Sequence, residues 1–113
     1  MPRKIDTDTL LKKMLAAAAG VLQNRWPPAR DYAEIEFRKL LIQADHIKKL
    51  KSRKKITKNE AKCLMDLQRN AMRSVLLTLE GLGILTVEAA IDAALSVARD
   101  AVNTAIGSGW KIL

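Results

Sequence analysis

Residues 57–106, TKNEAKCLMDLQRNAMRSVLLTLEGLGILTVEAAIDAALSVARDAVNTAI, decide the fold. After Thr57, apolar residues recur at Ala61, Leu64, Met65, Met72, Val75, Leu76 and Leu79, the three-and-four spacing that gathers side chains on one helical face. The rule returns at Val87, Ile91, Leu95, Ala98, Val102 and Ile106. Only Gly81-Leu82-Gly83-Ile84-Leu85-Thr86 separates the two runs, a connection short enough to force them antiparallel, so the stretch reads as a helical hairpin. Thr57-Lys58-Asn59-Glu60 has the order of a capping box and sets the start of the first of these helices. Gly81 is its expected C-terminal cap, and Thr86 is the expected N-cap of the next helix, with Glu88 in the first turn. A second row, Ala90, Ala94, Ala101 and Ala105, widens the last helix's apolar face to about half its circumference, so it should touch at least two neighbours.

The first half of the chain supplies those neighbours. Asp6 is a candidate N-cap, with Ile5 placed to staple against Leu10, and Leu10, Leu11, Met14, Leu15, Ala18, Val21 and Leu22 form a buried stripe. Gly20 interrupts good helix formers, which suggests close approach of a neighbouring helix. Pro27-Pro28 is expected to end this helix. A second helix should run from Pro28 or Ala29 to about Ser52, with Ala33, Phe37, Leu40, Leu41, Ala44 and Ile47 inward. Glu34 with Arg38 and Asp45 with Lys49 are i,i+4 pairs on its solvent side. Tyr32, Ile35 and Ile42 fall on the opposite side from the core face, where a lone molecule exposes them. The expected architecture is all-α: an antiparallel up-down-up-down four-helix bundle with an Ala-rich core, occupying residues 1–113 as one domain. Helices of roughly 18, 24, 24 and 20 residues at about 1.5 Å per residue give a bundle some 36 Å long.

Composition supports close packing. Among 113 residues there are 16 alanines and only four aromatic residues, Trp26, Tyr32, Phe37 and Trp110, so helix axes can approach toward the short end of the roughly 8–10 Å range. The single cysteine, Cys63, excludes an internal disulfide and reads as a partly buried small hydrophobe compatible with a reducing cytoplasm. No uncharged run approaches the roughly 18–20 residues that span a bilayer. Lys12-Lys13 ahead of Met14–Leu22 imitates a signal peptide, but Asp6 and Asp8 make the leader acidic, so no cleaved signal is expected.

The formal net charge is +8, and +7 of it lies between His46 and Lys62: Lys48, Lys49, Lys51, Arg53, Lys54, Lys55, Lys58 and Lys62 face Glu60 alone. Lysines closing the second helix complement the negative end of its dipole. Lys58 and Lys62 sit near the start of the third, where the dipole disfavours positive charge. All eight are candidate polyanion contacts, converging on one end of the bundle. The absence of aromatic residues from Arg38 to Gly109 leaves no stacking platform for single strands.

No catalytic pattern is present. A di-iron carboxylate centre needs Glu-x-x-His pairs, and the only histidine, His46, follows Gln43 by three and falls off the core face. Nothing ties His46 to Cys63 as base to nucleophile, and Gly81-Leu82-Gly83 lacks the spacing and strand context of a phosphate loop. No enzyme activity, cofactor, metal or small-molecule substrate is expected. In size, charge and the dipeptide Gly109-Trp110 the chain resembles the small basic four-helix accessory proteins of diversity-generating retroelements.

The expected function is therefore non-enzymatic association as a homo-oligomer, with Tyr32, Ile35, Ile42 and Trp110 as candidate contacts. The alternative is a sequence-indifferent accessory protein that binds the backbone of DNA or RNA through Lys48–Lys62. The tail Trp110-Lys111-Ile112-Leu113 is expected either to fold back over the bundle end or to insert into a partner.

Overall fold

The structure, a computed structural model, describes residues 5–107 and 109–113. Helix α1 runs over Thr7–Leu22, α2 over Trp26–Ser52, α3 over Lys58–Leu77 and α4 over Ile84–Ile106. They form an antiparallel four-helix bundle of 43 × 24 × 19 Å. Each helix packs on its chain neighbour, α4 closes the ring against α1, and α2 also reaches α4 across the middle, while α1 and α3 do not touch. One end of the bundle therefore holds the start of α1, the end of α2, the start of α3 and the end of α4.

The caps follow local chemistry. Asp6 accepts from Thr9 N at 3.1 Å and Thr9 Oγ1 at 2.8 Å, and Ile5 before it is buried with Leu10 in the core. The Thr9 hydroxyl and N–H hold the Asp6 carboxyl below its ordinary value. At α3 the capping box is complete: Glu60 N donates to Thr57 Oγ1 at 3.1 Å and Thr57 N to Glu60 Oε1 at 2.9 Å. The Thr57 N–H, and then its hydroxyl, lower the Glu60 carboxyl.

Four boundaries differ from the sequence reading. Helix α1 stops at Leu22 rather than at Pro27-Pro28, because Gln23 takes φ +49 and a 3₁₀ turn, Gln23–Arg25, follows. The prolines sit instead in the first turn of α2, where their missing N–H groups have no helical partner to lose. Helix α3 ends at Leu77, not near Gly81; Gly81 serves the link beyond it with φ +82, and the Arg25 guanidinium lies where its Cβ would stand. Helix α4 begins at Ile84, with extended Gly83 as N-cap and Val87 N bonded to Gly83 O at 3.0 Å. Thr86 is thus inside the helix, not its cap, and Glu88 lies beyond the first turn.

The end of α2 has an unusual occupant. Lys54 N donates to Lys51 O at 3.0 Å and Lys55 N to Leu50 O at 2.9 Å, the paired bonds of a Schellman motif, with Lys54 at φ +55. Glycine ordinarily holds this place, since a side chain in the left-handed region costs about 1–2 kcal/mol.

The core takes Ala18 from α1, Ala29, Ala33, Phe37 and Ala44 from α2, Met65 and Met72 from α3, and Val87, Ala90, Ile91, Ala94 and Ala98 from α4. Ala101, expected in the small row, is exposed. Gly20 also departs from expectation: it is exposed and a Cβ there would meet nothing within 4 Å, so no helix approaches it. Gly20→Ala should accordingly stabilise the protein by about 0.5–1 kcal/mol, read as a higher urea midpoint at unchanged slope. A lower midpoint would show that the position needs glycine for a contact outside the monomer.

Candidate binding surfaces at the basic end and on the outer face of α2

The eight cations read from the sequence do share one end of the bundle, but they divide into two kinds. Lys49 reaches back to Asp45 at 3.3 Å, and Lys51 is drawn into the fold. The Lys51 ammonium donates to the Ile106 carbonyl at 2.7 Å and stands 5.0 Å from the centre of the Trp110 ring. It closes the C-terminus of α4 from α2, satisfying a carbonyl that the helix leaves without a partner. Lys48 is half-buried and also engaged. These three border a cleft of about 440 Å³ with Ser52, Thr104 and Ile106, between the last turns of α2 and α4.

Arg53, Lys54, Lys55, Lys58 and Lys62 form the second kind. All five are exposed, and none makes an ion pair among the described residues. The one carboxylate in their midst, Glu60, is committed to the capping box. Asp6 and Asp8 lie at the same end but on α1, across the bundle diagonal from α3.

The C-terminal tail folds onto α4. Asn103 Oδ1 accepts from Ile112 N at 3.2 Å and Leu113 N at 3.3 Å, and Ile112 is buried. Trp110 is half-buried between this tail and Lys51.

On α2, Tyr32, Ile35 and Ile42 are 47%, 54% and 57% exposed on the side facing away from the other three helices. His46 is also exposed. The charges around this face are paired within the helix: Asp31 and Glu34 meet Arg30, Glu34 also meets Arg38, and Asp45 meets Lys49. Beside it, Glu36 is nearly buried and accepts from Lys39 Nζ at 3.1 Å.

Several features escaped the sequence. Leu77, Ile84 and Leu85 expose apolar surface at the end opposite the lysines, Leu85 to 84%. Ile84 and Leu85 belong to the stretch expected to be a helix-breaking link, and only the early start of α4 turns it into a helical surface. Cys63, expected to be partly buried, is exposed on α3, because it falls on the side turned from Ala61 and Met65. An ion network couples α3 to α4: Arg69 reaches Glu88 at 3.1 Å and also Asp92, and Arg73 meets Glu88. The Asp92 and Glu88 carboxylates raise the Arg69 guanidinium, and Arg73, then Arg69, lowers Glu88. Among the described residues no three of His, Cys, Asp and Glu are grouped to hold a metal ion, and no helix is long and apolar enough to cross a membrane.

Fold and surfaces together define an all-α bundle with one strongly basic end and an apolar strip along a single outer helix. Compared with models of protein families, with curated proteins and with solved structures, the chain matches none of them.

Proposed function

We propose that the protein is a non-enzymatic association module that pairs with a second copy of itself through the outer face of α2, in the reducing cytoplasm that suits its lone cysteine. The observation that carries this reading is the exposure of Tyr32, Ile35 and Ile42 together on that face. A two-fold axis between Ile35 and Ile42 sets each against the other in the partner. The face is then complementary to itself in apolar surface, the isologous contact that a two-fold dimer requires. Light scattering coupled to size exclusion tests it. At tens of micromolar the wild type should have at least twice its 12.5 kDa monomer mass, and Ile35→Asp/Ile42→Asp should return to 12.5 kDa with unchanged helicity. A wild type already monomeric at that concentration removes the reading.

A second reading concerns the basic end: it is a docking site for a polyanion such as the backbone of DNA or RNA, bound without regard to sequence. Five exposed cations without ion-pair partners, within ten residues of chain, favour it.

A further inference from the structure

We infer that the polyanion taken at the basic end is the phosphate backbone of a double helix rather than a single strand. This rests on the second reading above. Two places in residues 53–62 hold a cation where local folding favours something else. Lys54 occupies the left-handed position of a Schellman motif, where glycine carries no strain. Lys58 opens α3, at the end of its dipole that repels positive charge, and Lys62 follows one turn further along. Lysines kept for the fold alone would look like Lys51, which is bonded to the Ile106 carbonyl at the end of α4. These point into solvent.

The shape of the patch selects among polyanions. Proteins that hold single strands thread the backbone along a groove and stack bases on aromatic side chains. Here the cations form a clump at the end of a bundle only 24 × 19 Å across, and no aromatic residue lies among them. Trp110, the aromatic nearest in the fold, is half-buried with the Lys51 ammonium over its ring. Tyr32 lies near the opposite end of α2. What a clump of this width rewards is charge density. A duplex carries one phosphate per about 1.7 Å of axis against one per about 3.4 Å for each strand, so about a dozen phosphates pass within 20 Å against six. Nothing in the patch is arranged to read base edges, so binding is sequence-indifferent.

Fluorescence anisotropy with a labelled DNA duplex of about 20 base pairs, and with one of its strands alone, tests this. The duplex should bind at least tenfold more tightly at 50 mM salt. Five phosphate contacts predict log affinity falling against log salt with a slope of about −4.5, a loss of roughly 500-fold between 50 and 200 mM. Arg53→Glu/Lys54→Glu/Lys55→Glu should weaken duplex binding more than 100-fold. Lys54→Gly separates binding from folding: it should raise the thermal midpoint while reducing the slope to about −3.6. A single strand held as tightly as the duplex overturns the duplex assignment and leaves the polyanion reading standing. Failure to retain either at 50 mM salt, or binding only to vesicles of anionic lipid, overturns both.

Discussion

Phe37→Ala is expected to cost about 3–5 kcal/mol and lower the melting temperature by roughly 10–25 °C, bringing the protein to the edge of unfolding at 37 °C. Of the four aromatic residues Phe37 alone is fully buried; Tyr32 is exposed and both tryptophans are half-buried. It supplies bulk to a core otherwise rich in one-carbon side chains. On the same face of α2 lie Ala33, Leu40, Leu41 and Ala44, and α4, which α2 reaches across the middle of the bundle, contributes Ala90, Ala94, Ala98 and Ala105. Alanine has no rotamers with which to fill a vacated space, so closing the void falls to the few larger side chains or to movement of the helices, and residual cavity volume is what makes such substitutions expensive. A domain of this length has roughly 6–17 kcal/mol in total, so the loss is a large share of it. Urea unfolding followed by circular dichroism measures it. Phe37→Leu, which retains most of the volume, should cost less than half as much. A Phe37→Ala protein within 1 kcal/mol of wild type would mean that the buried methionines Met14 and Met72 flow into the space, and that the core is looser than its burial implies.

That core was legible before any coordinates because periodicity alone reports it. The row Val87, Ile91, Leu95, Ala98, Val102 and Ile106 is buried throughout, as is the row on α2 from Ala33 to Ile47. Caps were legible where a side chain makes them, as at Asp6 and Thr57, and illegible where backbone does. Gly83 caps α4 with no side-chain bond, so Thr86, the nearest residue whose side chain could cap, puts the boundary three residues late. The α1–α2 junction misled for a related reason. Proline both ends helices and begins them, and only the φ of Gln23 distinguishes the two. The basic end was visible as charge, but its division was not. That the Lys51 ammonium closes α4 while those of Lys54 and Lys55 make no ion pair among the described residues depends on how two helix ends, 55 residues apart in sequence at Lys51 and Ile106, meet in space. The Arg69–Glu88 network was hidden likewise, since its partners are 19 residues apart and oppose each other only once α3 and α4 are in register.

Glu88→Ala is expected to cost about 1–3 kcal/mol at neutral pH and to loosen α3 from α4 before the rest of the bundle opens. Arg69 and Arg73 stand one helical turn apart on α3, and both converge on this carboxylate; Asp92, one turn further along α4, takes only Arg69. Glu88 is therefore the shared node. With its side chain 27% exposed and those of the arginines 29% and 32%, the network is shielded from water more than an ordinary surface pair. Removing the carboxylate leaves Arg73 with only Asn70, at 3.0 Å, and Arg69 with only Asp92. The Arg73 and Arg69 guanidinium groups hold Glu88 below its ordinary value of 4.5, so its contribution is complete above that pH and is lost as pH falls through the lowered folded-state value. The difference in stability between wild type and Glu88→Gln should consequently be full at pH 7, shrink below pH 4.5 and vanish in stronger acid. A double-mutant cycle of Glu88→Ala with Arg73→Ala should give a coupling near 1 kcal/mol, and hydrogen exchange should accelerate in α3 first. If Glu88→Ala instead matches wild type at pH 7, or if its deficit persists unchanged into acid, then apolar packing of Met65, Met72 and Leu76 holds α3 in place and the ions merely decorate the seam.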